Sequence, residues 1–468
     1  MTALQQNIDN RLLSKSPRYA YRIELRAIIK LALPIFVSQL AVMATGFVDT
    51  MMAGHFSKEA LAGAAIGSSI CFPFILALYG VMMAATPITA QLAGAGRQRE
   101  IGPVIRQGLW LGLVLSVFLF VGVRHVDPAL EMMALSSGVT AIVKGYLEGI
   151  SYGFPAAAGY FVLKSFAEGI GKTRPQMVIS IITVIFNYFA NDILINGKYG
   201  MPTLGGAGCG WASGLTFWLF LVCSIGYTLC SRACRRAGIF SRFSGPSAGG
   251  IAEILKLGLP IGGTIFMESS IFACITLFLG VLGPVVVGGH QIVLNYSGIV
   301  FSIPLSIGMA LTIRTGQALG RKEPAAARFS CRTGLLLSMV LSLITINFTF
   351  FFPELITKVY TKDPDVSRVA VSLLAFGALY QFSDAIMITS QGALRGYKDA
   401  NITFLLTFMA YWVITLPLGY TLAMTDKIVP AMGAEGFWLS LIAGLTISGL
   451  LLWLRLRRIS DWRSISRG

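Results

Sequence analysis

The chain has 468 residues, 55% of them hydrophobic and only 12% charged. A soluble domain carries about 25% charged residues, so the composition excludes a soluble protein and points to one built within a bilayer. The formal net charge of +16 would suit a polyanion partner in a soluble protein. Here most of the 37 lysines and arginines fall between apolar stretches, where they report topology and require no nucleic acid.

Residues 1–26 read as a polar tail without a signal-peptide pattern. Twelve apolar stretches then follow, each near or above the roughly 20 residues that cross a bilayer. They are 27–53, 60–91, 103–124, 138–167, 176–196, 206–230, 253–279, 288–317, 333–353, 368–393, 401–424 and 433–455. A basic segment with Gly and Ser, 231–252, separates the sixth from the seventh, and 456–468 forms a basic tail. Basic residues gather on one side, from Arg11 to Lys30, around Arg97 to Arg106, at Lys172 and Arg174, through the linker, and again after spans 8, 10 and 12. The other side receives only scattered ones, such as Lys58, Arg124 and Lys198. This bias places both termini in the cytoplasm. Residues 27–230 are therefore expected to form one lobe, 253–455 a second, and 231–252 a cytoplasmic linker.

The two halves repeat each other. IIKLALP at 28–34 returns as ILKLGLP at 254–260; Thr86, Gln91 and Gly94 are answered by Thr312, Gln317 and Gly320. Gly206, Ala207, Trp211 and Ser213 are answered by Gly433, Ala434, Trp438 and Ser440. Long internal repeats in hydrophobic chains mark transporters built from two related halves. Each half has an even number of spans, so the halves should be related by an axis along the membrane normal. The expected fold is all-α and membrane-integral, with twelve helices in two pseudo-symmetric six-helix lobes around a central cavity. Pro34 and Pro260 occupy equivalent helices, where each frees a backbone carbonyl and permits bending. Gly206, Gly210 and Gly214, spaced by four, read as a close packing face.

Carboxylates stand where carboxylates are costly. Asp49 lies near the outer end of span 1, Glu268 mid-span 7 and Asp384 mid-span 10, with no lysine or arginine nearby in sequence. A buried acid is accommodated by protonation, a metal cation or a cationic substrate. The alternative is a structural hydrogen-bonding residue at a kink. Asn187 and Asn191, one turn apart in span 5, suit cation coordination, a bond to a carboxylic acid, or interhelical bonding. Tyr380, one turn before Asp384, and Tyr296 in span 8 offer rings to organic cations, unless they are ordinary membrane aromatics. Lys144 and Glu148, spaced i,i+4, are expected to pair locally, and Asp192 is ambiguous. The seven cysteines form no metal-type cluster. His55, His125 and His290 are dispersed, and there is no GxxxxGK[ST] loop or TVGYG filter, so an enzyme, an ATP-driven pump and a channel are disfavoured.

The segments PIFVSQLAVMATGFVDTMMAG, GKYGMPTLGGAGCGWAS, GHQIVLNYSGIVFSIPLSIG and YQFSDAIMITSQGALRGYKDA resemble the multidrug and toxic compound extrusion (MATE) family, NorM-type bacterial branch. The resemblance runs from about residue 25 to residue 455. It implies a V-shaped cavity and location in the bacterial inner membrane. It also implies efflux of cationic amphipathic drugs and dyes, driven by inward Na⁺ or H⁺, with no other cofactor. It implies cation coupling and drug binding at Asp49, Glu268 and Asp384, with Na⁺ expected at Glu268 and Asp384. Asn187 and Asn191 would join Asp49 in a first-lobe polar site, with Tyr380 near the second-lobe cation. Asp192 departs from the tyrosine that relatives often carry; it would either add a ligand to the first-lobe site or sit solvated at the helix end. The rival within the same superfamily is a flippase for lipid-linked precursors, which should carry basic residues in its cavity. Nothing requires more than a monomer.

Overall fold

The computed structural model describes residues 17–133, 135–427 and 429–465; of the expected tails, residues 1–16 and 466–468 lie outside that range. Among the described residues, regular structure is entirely helical. The first half holds α1 (Pro17–Phe56), α2 (Lys58–Met82), α3 (Ala85–Gly94), α4 (Ile101–Arg124), the short α5 (Asp127–Met132), α6 (Ser137–Ser151), α7 (Phe154–Gly169), α8 (Arg174–Asn196) and α9 (Ala207–Cys230). One turn of helix, α10 (Arg232–Arg235), lies in the linker. The second half holds α11 (Ala248–Leu279), α12 (Pro284–Gly320), α13 (Pro324–Phe351), the short α14 (Pro353–Tyr360) and α15 (Pro364–Gly396). α16 (Ala400–Phe408) then runs through a π-helical stretch, Met409–Thr415, into α17 (Leu416–Met424), and α18 (Ala434–Ile465) follows. Prolines open α8, α12, α13, α14 and α15, where the missing N–H is one that helix starts leave unbonded anyway.

Eleven of the described helical stretches are long and apolar enough to cross a bilayer. The twelfth, expected at 138–167, is broken into α6 and α7. Pro155 lacks the N–H that would reach the Ser151 carbonyl, and its ring crowds that carbonyl. The Gly153 N–H turns back to Ile150 O at 2.9 Å instead. A Cβ at Gly153 would stand 2.7 Å from Gly214 Cα, so the break is packed in place. Counted back from the equivalent helix ends Gly169 and Gly396, the second half carries Phe382 where the first has Pro155, and α15 runs unbroken.

Packing divides the chain into two compact units. One contains the residues up to Phe36, Ile271–Asp399 and Leu405 onward; the other contains Val37–Ser270 and Ala400–Phe404. The first part of α1 thus packs with second-half helices. Ile28 and Ala32 join a core with Ile307, Leu311 and Leu445. Buried Glu24 accepts from Arg314 Nε at 3.0 Å and Ser330 Oγ at 2.6 Å. The first part of α11 packs with first-half helices: Gly80 of α2 comes so close that a Cβ there would lie 2.6 Å from Gly262 Cα.

The repeat is visible in the backbone. Gly96 (φ 75°) and Lys322 (φ 64°) close equivalent turns after α3 and α12, and Gly171 (φ 77°) and Lys398 (φ 61°) do so after α7 and α15. The bonding is the same in each copy: Arg97 N to Leu92 O answers Glu323 N to Ala318 O, both at 3.0 Å. The second half adopts the left-handed conformation with lysines, at a cost of about 1–2 kcal/mol each.

Candidate functional site

The first-half site is built on α8. Ser180, Thr183, Asn187 and Asn191 recur at intervals of three and four, which places them on one helix face, and all four are buried. Half-buried Asp49 comes from the last part of α1. Asn191 Nδ2 donates to Asp49 Oδ1 at 2.6 Å and to Asn187 Oδ1 at 3.0 Å. Ser213 Oγ, from α9, donates to Asp49 Oδ2 at 3.0 Å. Asn187 Nδ2 donates to Thr216 Oγ1 at 3.4 Å, and that hydroxyl donates to Ala212 O at 2.8 Å. Tyr146 of α6 adjoins Ser213 and Asp49. Asn191 and Ser213 thus each donate to one carboxylate oxygen of Asp49, and among the described residues a second acceptor, Asn191 Oδ1, is buried with no hydrogen-bond partner. Carboxylate and carboxamide oxygens together suit a hard monovalent cation, and the carboxylate alone suits a proton. The sequence-predicted trio of Asp49, Asn187 and Asn191 is thus brought together.

α9 approaches α6 closely enough to supply Ser213 because of its glycines. A Cβ at Gly210 would lie 2.1 Å from Tyr146 O, and one at Gly214 would lie 2.6 Å from Gly149 O. Ser213, Thr216 and Tyr146 were not anticipated as site residues; Ser213 was visible only as the repeat partner of Ser440.

In the other unit, Asp384 and Tyr380 are both buried on α15. They line a small cavity with Ser297, Gln381, Ser342 and Thr345. Tyr296 reaches the same region from α12: its hydroxyl lies 2.7 Å from Thr349 Oγ1, which also accepts from Gln381 Nε2 at 3.0 Å. Among the described residues, Gln381 Oε1 and Ser297 Oγ are buried without hydrogen-bond partners. The Tyr380 ring packs edge-on to Trp438, with centroids 5.7 Å apart, and Trp438 Nε1 donates to the buried His290 Nδ1 at 3.2 Å. Gln381 and Ser297 went unread in the sequence, and His290 was read only as one of three dispersed histidines. Glu268, on α11, falls in the unit of Asp49, and Asp384 in the other. Pro34 and Pro260 lie inside the continuous helices α1 and α11.

Two sequence expectations about ion pairs are resolved. Lys144 does not pair with Glu148. Lys144 Nζ meets Asp127 Oδ1 of α5 at 2.9 Å, and Glu148 takes Arg124 of α4 at 3.3 Å, because neighbouring helix ends offer closer partners than the next turn of α6. Asp192 bonds Lys198 Nζ at 2.8 Å and Asn196 Nδ2 at 2.9 Å at the end of α8. One residue beyond Asn191, it points about 100° around the helix from that network. Among the described residues, no three of His, Cys, Asp or Glu gather into a metal-binding group.

The MatE family profile matches the chain twice, at residues 34–193 and 260–421, one match for each half of the repeat. The chain belongs to the MatE family. Multidrug resistance protein PmpM of Pseudomonas aeruginosa is 42% identical to it over 93% of this chain and 92% of the relative. The probable multidrug resistance protein NorM of Shewanella oneidensis is 43% identical over 94% and 95%. Among solved structures, the eukaryotic MATE transporter AtDTX14 superposes with a TM-score of 0.85 at 19% identity, covering 95% of this chain and 98% of that one. An outward-facing multidrug resistance MATE family transporter gives 0.84 at 16%, covering 94% and 97%. Counting the broken α6–α7 pair as one span, the chain has the twelve-helix, two-lobed MATE architecture. MatE proteins are transporters, not enzymes, and this one is a multi-pass membrane protein.

Proposed function

We propose that this MatE protein is a secondary antiporter of the bacterial inner membrane, with both termini cytoplasmic. It exports cationic amphipathic drugs and dyes in exchange for inward Na⁺ or H⁺. The observation that carries this reading is Asp49: a carboxylate within a spanning helix, held by Asn191 and Ser213 and flanked by a buried carboxamide oxygen without a hydrogen-bond partner among the described residues. Such a group can hold a proton, a metal cation or an organic cation, though not all at once. The multidrug resistance names of the bacterial relatives support the substrate class.

Exchange needs the ion and the drug to compete, or each to favour a different arrangement of the protein. In the proposed cycle a cation entering from outside binds at the acids and neutralises charge that had held the organic cation. The drug leaves outward. The ion is then released to the cytoplasm, driven by its gradient and the membrane potential, and the acids are free for the next drug. Asp384 with Tyr380 in one unit, and Glu268 in the other, are each a position for a coupling cation; Asp49, Asn187 and Asn191 bind drug, proton or cation. Tyr296 and Tyr380 contribute aromatic faces to an organic cation. A flippase reading gains no support from the cavity beside Asp384, whose lining includes no lysine or arginine.

The test is ethidium accumulation and drug resistance in an efflux-deficient bacterium expressing the chain. Low accumulation that rises when the ion gradient is collapsed is the expected result. Unchanged accumulation with well-expressed, membrane-inserted protein would overturn the proposal.

A further inference from the structure

The repeat duplicates a surface feature that the proposed cycle does not use. At the foot of α4, Arg106, Leu109, Trp110 and Leu113 form one wall of a pocket; Phe240, Arg242 and Phe243 of the linker form the other. The repeat equivalents on α13 are Arg332, Leu335, Leu336 and Met339. Those four line a second pocket, closed by Trp453, Leu456 and Arg457 of α18 and by Arg328. Each pocket lies wholly within one compact unit.

Each also opens at the end of an exposed apolar stripe. On α4 the stripe is Leu113, Val114, Val117, Phe118 and Val121; on α13 it is Leu336, Val340, Leu343 and Ile344. On a spanning helix such a stripe faces hydrocarbon, so acyl chains cover it and their head groups come to the pockets. The pockets suit a particular head group. Arg106 donates to Gly238 O at 2.9 Å, Ile239 O at 3.1 Å and Ser244 Oγ at 2.7 Å, neutral acceptors that leave its charge uncancelled. Arg242 is exposed beside it. In the second pocket Arg328 is paired with Asp461 at 3.0 Å, whereas Arg332 and Arg457 are exposed, and the Arg457 guanidinium lies 5.8 Å from the Trp453 ring centroid. Guanidinium groups bind phosphate in a two-pronged fashion, and tryptophan favours the boundary between head groups and hydrocarbon.

We propose that these pockets are two binding sites for anionic phospholipid, one in each unit. The arginines seat the phosphodiester and the acyl chains lie along α4 or α13. A zwitterionic lipid offers the same phosphate but cancels its charge with its own ammonium, so the sites select a net-negative head group. The inference goes beyond the transport reading and rests on it only for which leaflet the lipid occupies.

The test is native mass spectrometry of the purified full-length protein in detergent, with phosphatidylglycerol or phosphatidylcholine added at equal concentration. Wild-type protein is expected to retain two phosphatidylglycerol molecules where it retains no phosphatidylcholine. Arg242→Gln acts on the first pocket, and Arg332→Gln with Arg457→Gln on the second. These side chains are exposed, so folding is preserved, and each arginine removed should weaken retention about fivefold. The triple variant should lose its preference for phosphatidylglycerol. Equal retention of the two lipids by wild type, or wild-type preference in the triple variant, would overturn the proposal. Displacement of the lipid by an equal concentration of soluble glycerol phosphate would also overturn it, in favour of a free-phosphate site. Because the readout is lipid retention, it succeeds or fails independently of drug transport.

Discussion

Replacing Asn191 with leucine removes a donor while keeping the branched shape and the number of side-chain heavy atoms. The Asn191 amide donates to the Asp49 carboxylate at 2.6 Å and to the buried Asn187 Oδ1 at 3.0 Å. A hydrogen bond to a charged group contributes about 1.5–3 kcal/mol, and stranding a buried acceptor costs about 1–3 kcal/mol. With Asp49 ionised, Asn191→Leu should therefore destabilise the protein by about 4 kcal/mol. In an Asp49→Asn background the lost bond is a neutral one, contributing about 0.5–1.5 kcal/mol, so the same substitution should cost about 1–2 kcal/mol less. The assay is a double-mutant cycle, with unfolding of the four proteins measured in one detergent. Contacting residues show such coupling, whereas independent ones add to within about 0.3–0.5 kcal/mol. Strict additivity would refute the reasoning, because it would mean that Asn191 does not support charge on Asp49.

Four further outcomes are expected. Glu268→Gln and Asp384→Asn should each abolish coupled efflux while preserving expression; full drug resistance in cells carrying either variant would contradict their assignment. Glu24→Gln breaks a mostly buried pair with Arg314 and weakens the Ser330 bond, so a loss of about 2–4 kcal/mol, discounted for partial exposure, should appear in thermal melting as a lower midpoint. Gly210→Ala drives a methyl into the Tyr146 carbonyl oxygen and should cost about 3 kcal/mol or more. Gly226→Ala, with nothing within 4 Å, should leave the melting midpoint nearly unchanged.

The spans and the repeat were legible because both are properties of chain composition and order. The repeat even foretells the backbone, down to the paired left-handed residues Gly96 and Lys322. It does not foretell the site. Asp49 is answered by Ile275, Glu268 by Val42 and Asp384 by Ala157, so the acids stand out as departures from symmetry laid on a symmetric scaffold. Asn187 and Asn191 were readable because helical spacing alone puts them on one face. Ser213 and Thr216 were not, because their approach to Asp49 and Asn187 depends on how closely α9 packs, a long-range consequence of Gly210 and Gly214. The Lys144 partner was misread for a related reason: the i,i+4 rule knows only its own helix, and α5 supplied Asp127. The break in span 4 was written in Pro155, whose repeat partner Phe382 permits a continuous helix.

The central claim is that these acids couple drug export to cation entry. Its most direct test is ethidium efflux from proteoliposomes containing the purified protein, first under a Na⁺ gradient at clamped pH and then under a proton gradient without Na⁺, with Asp49→Asn protein in parallel. The account predicts efflux under at least one gradient, abolished in the variant. Efflux under neither gradient from folded wild-type protein, or undiminished efflux by Asp49→Asn protein, would contradict it.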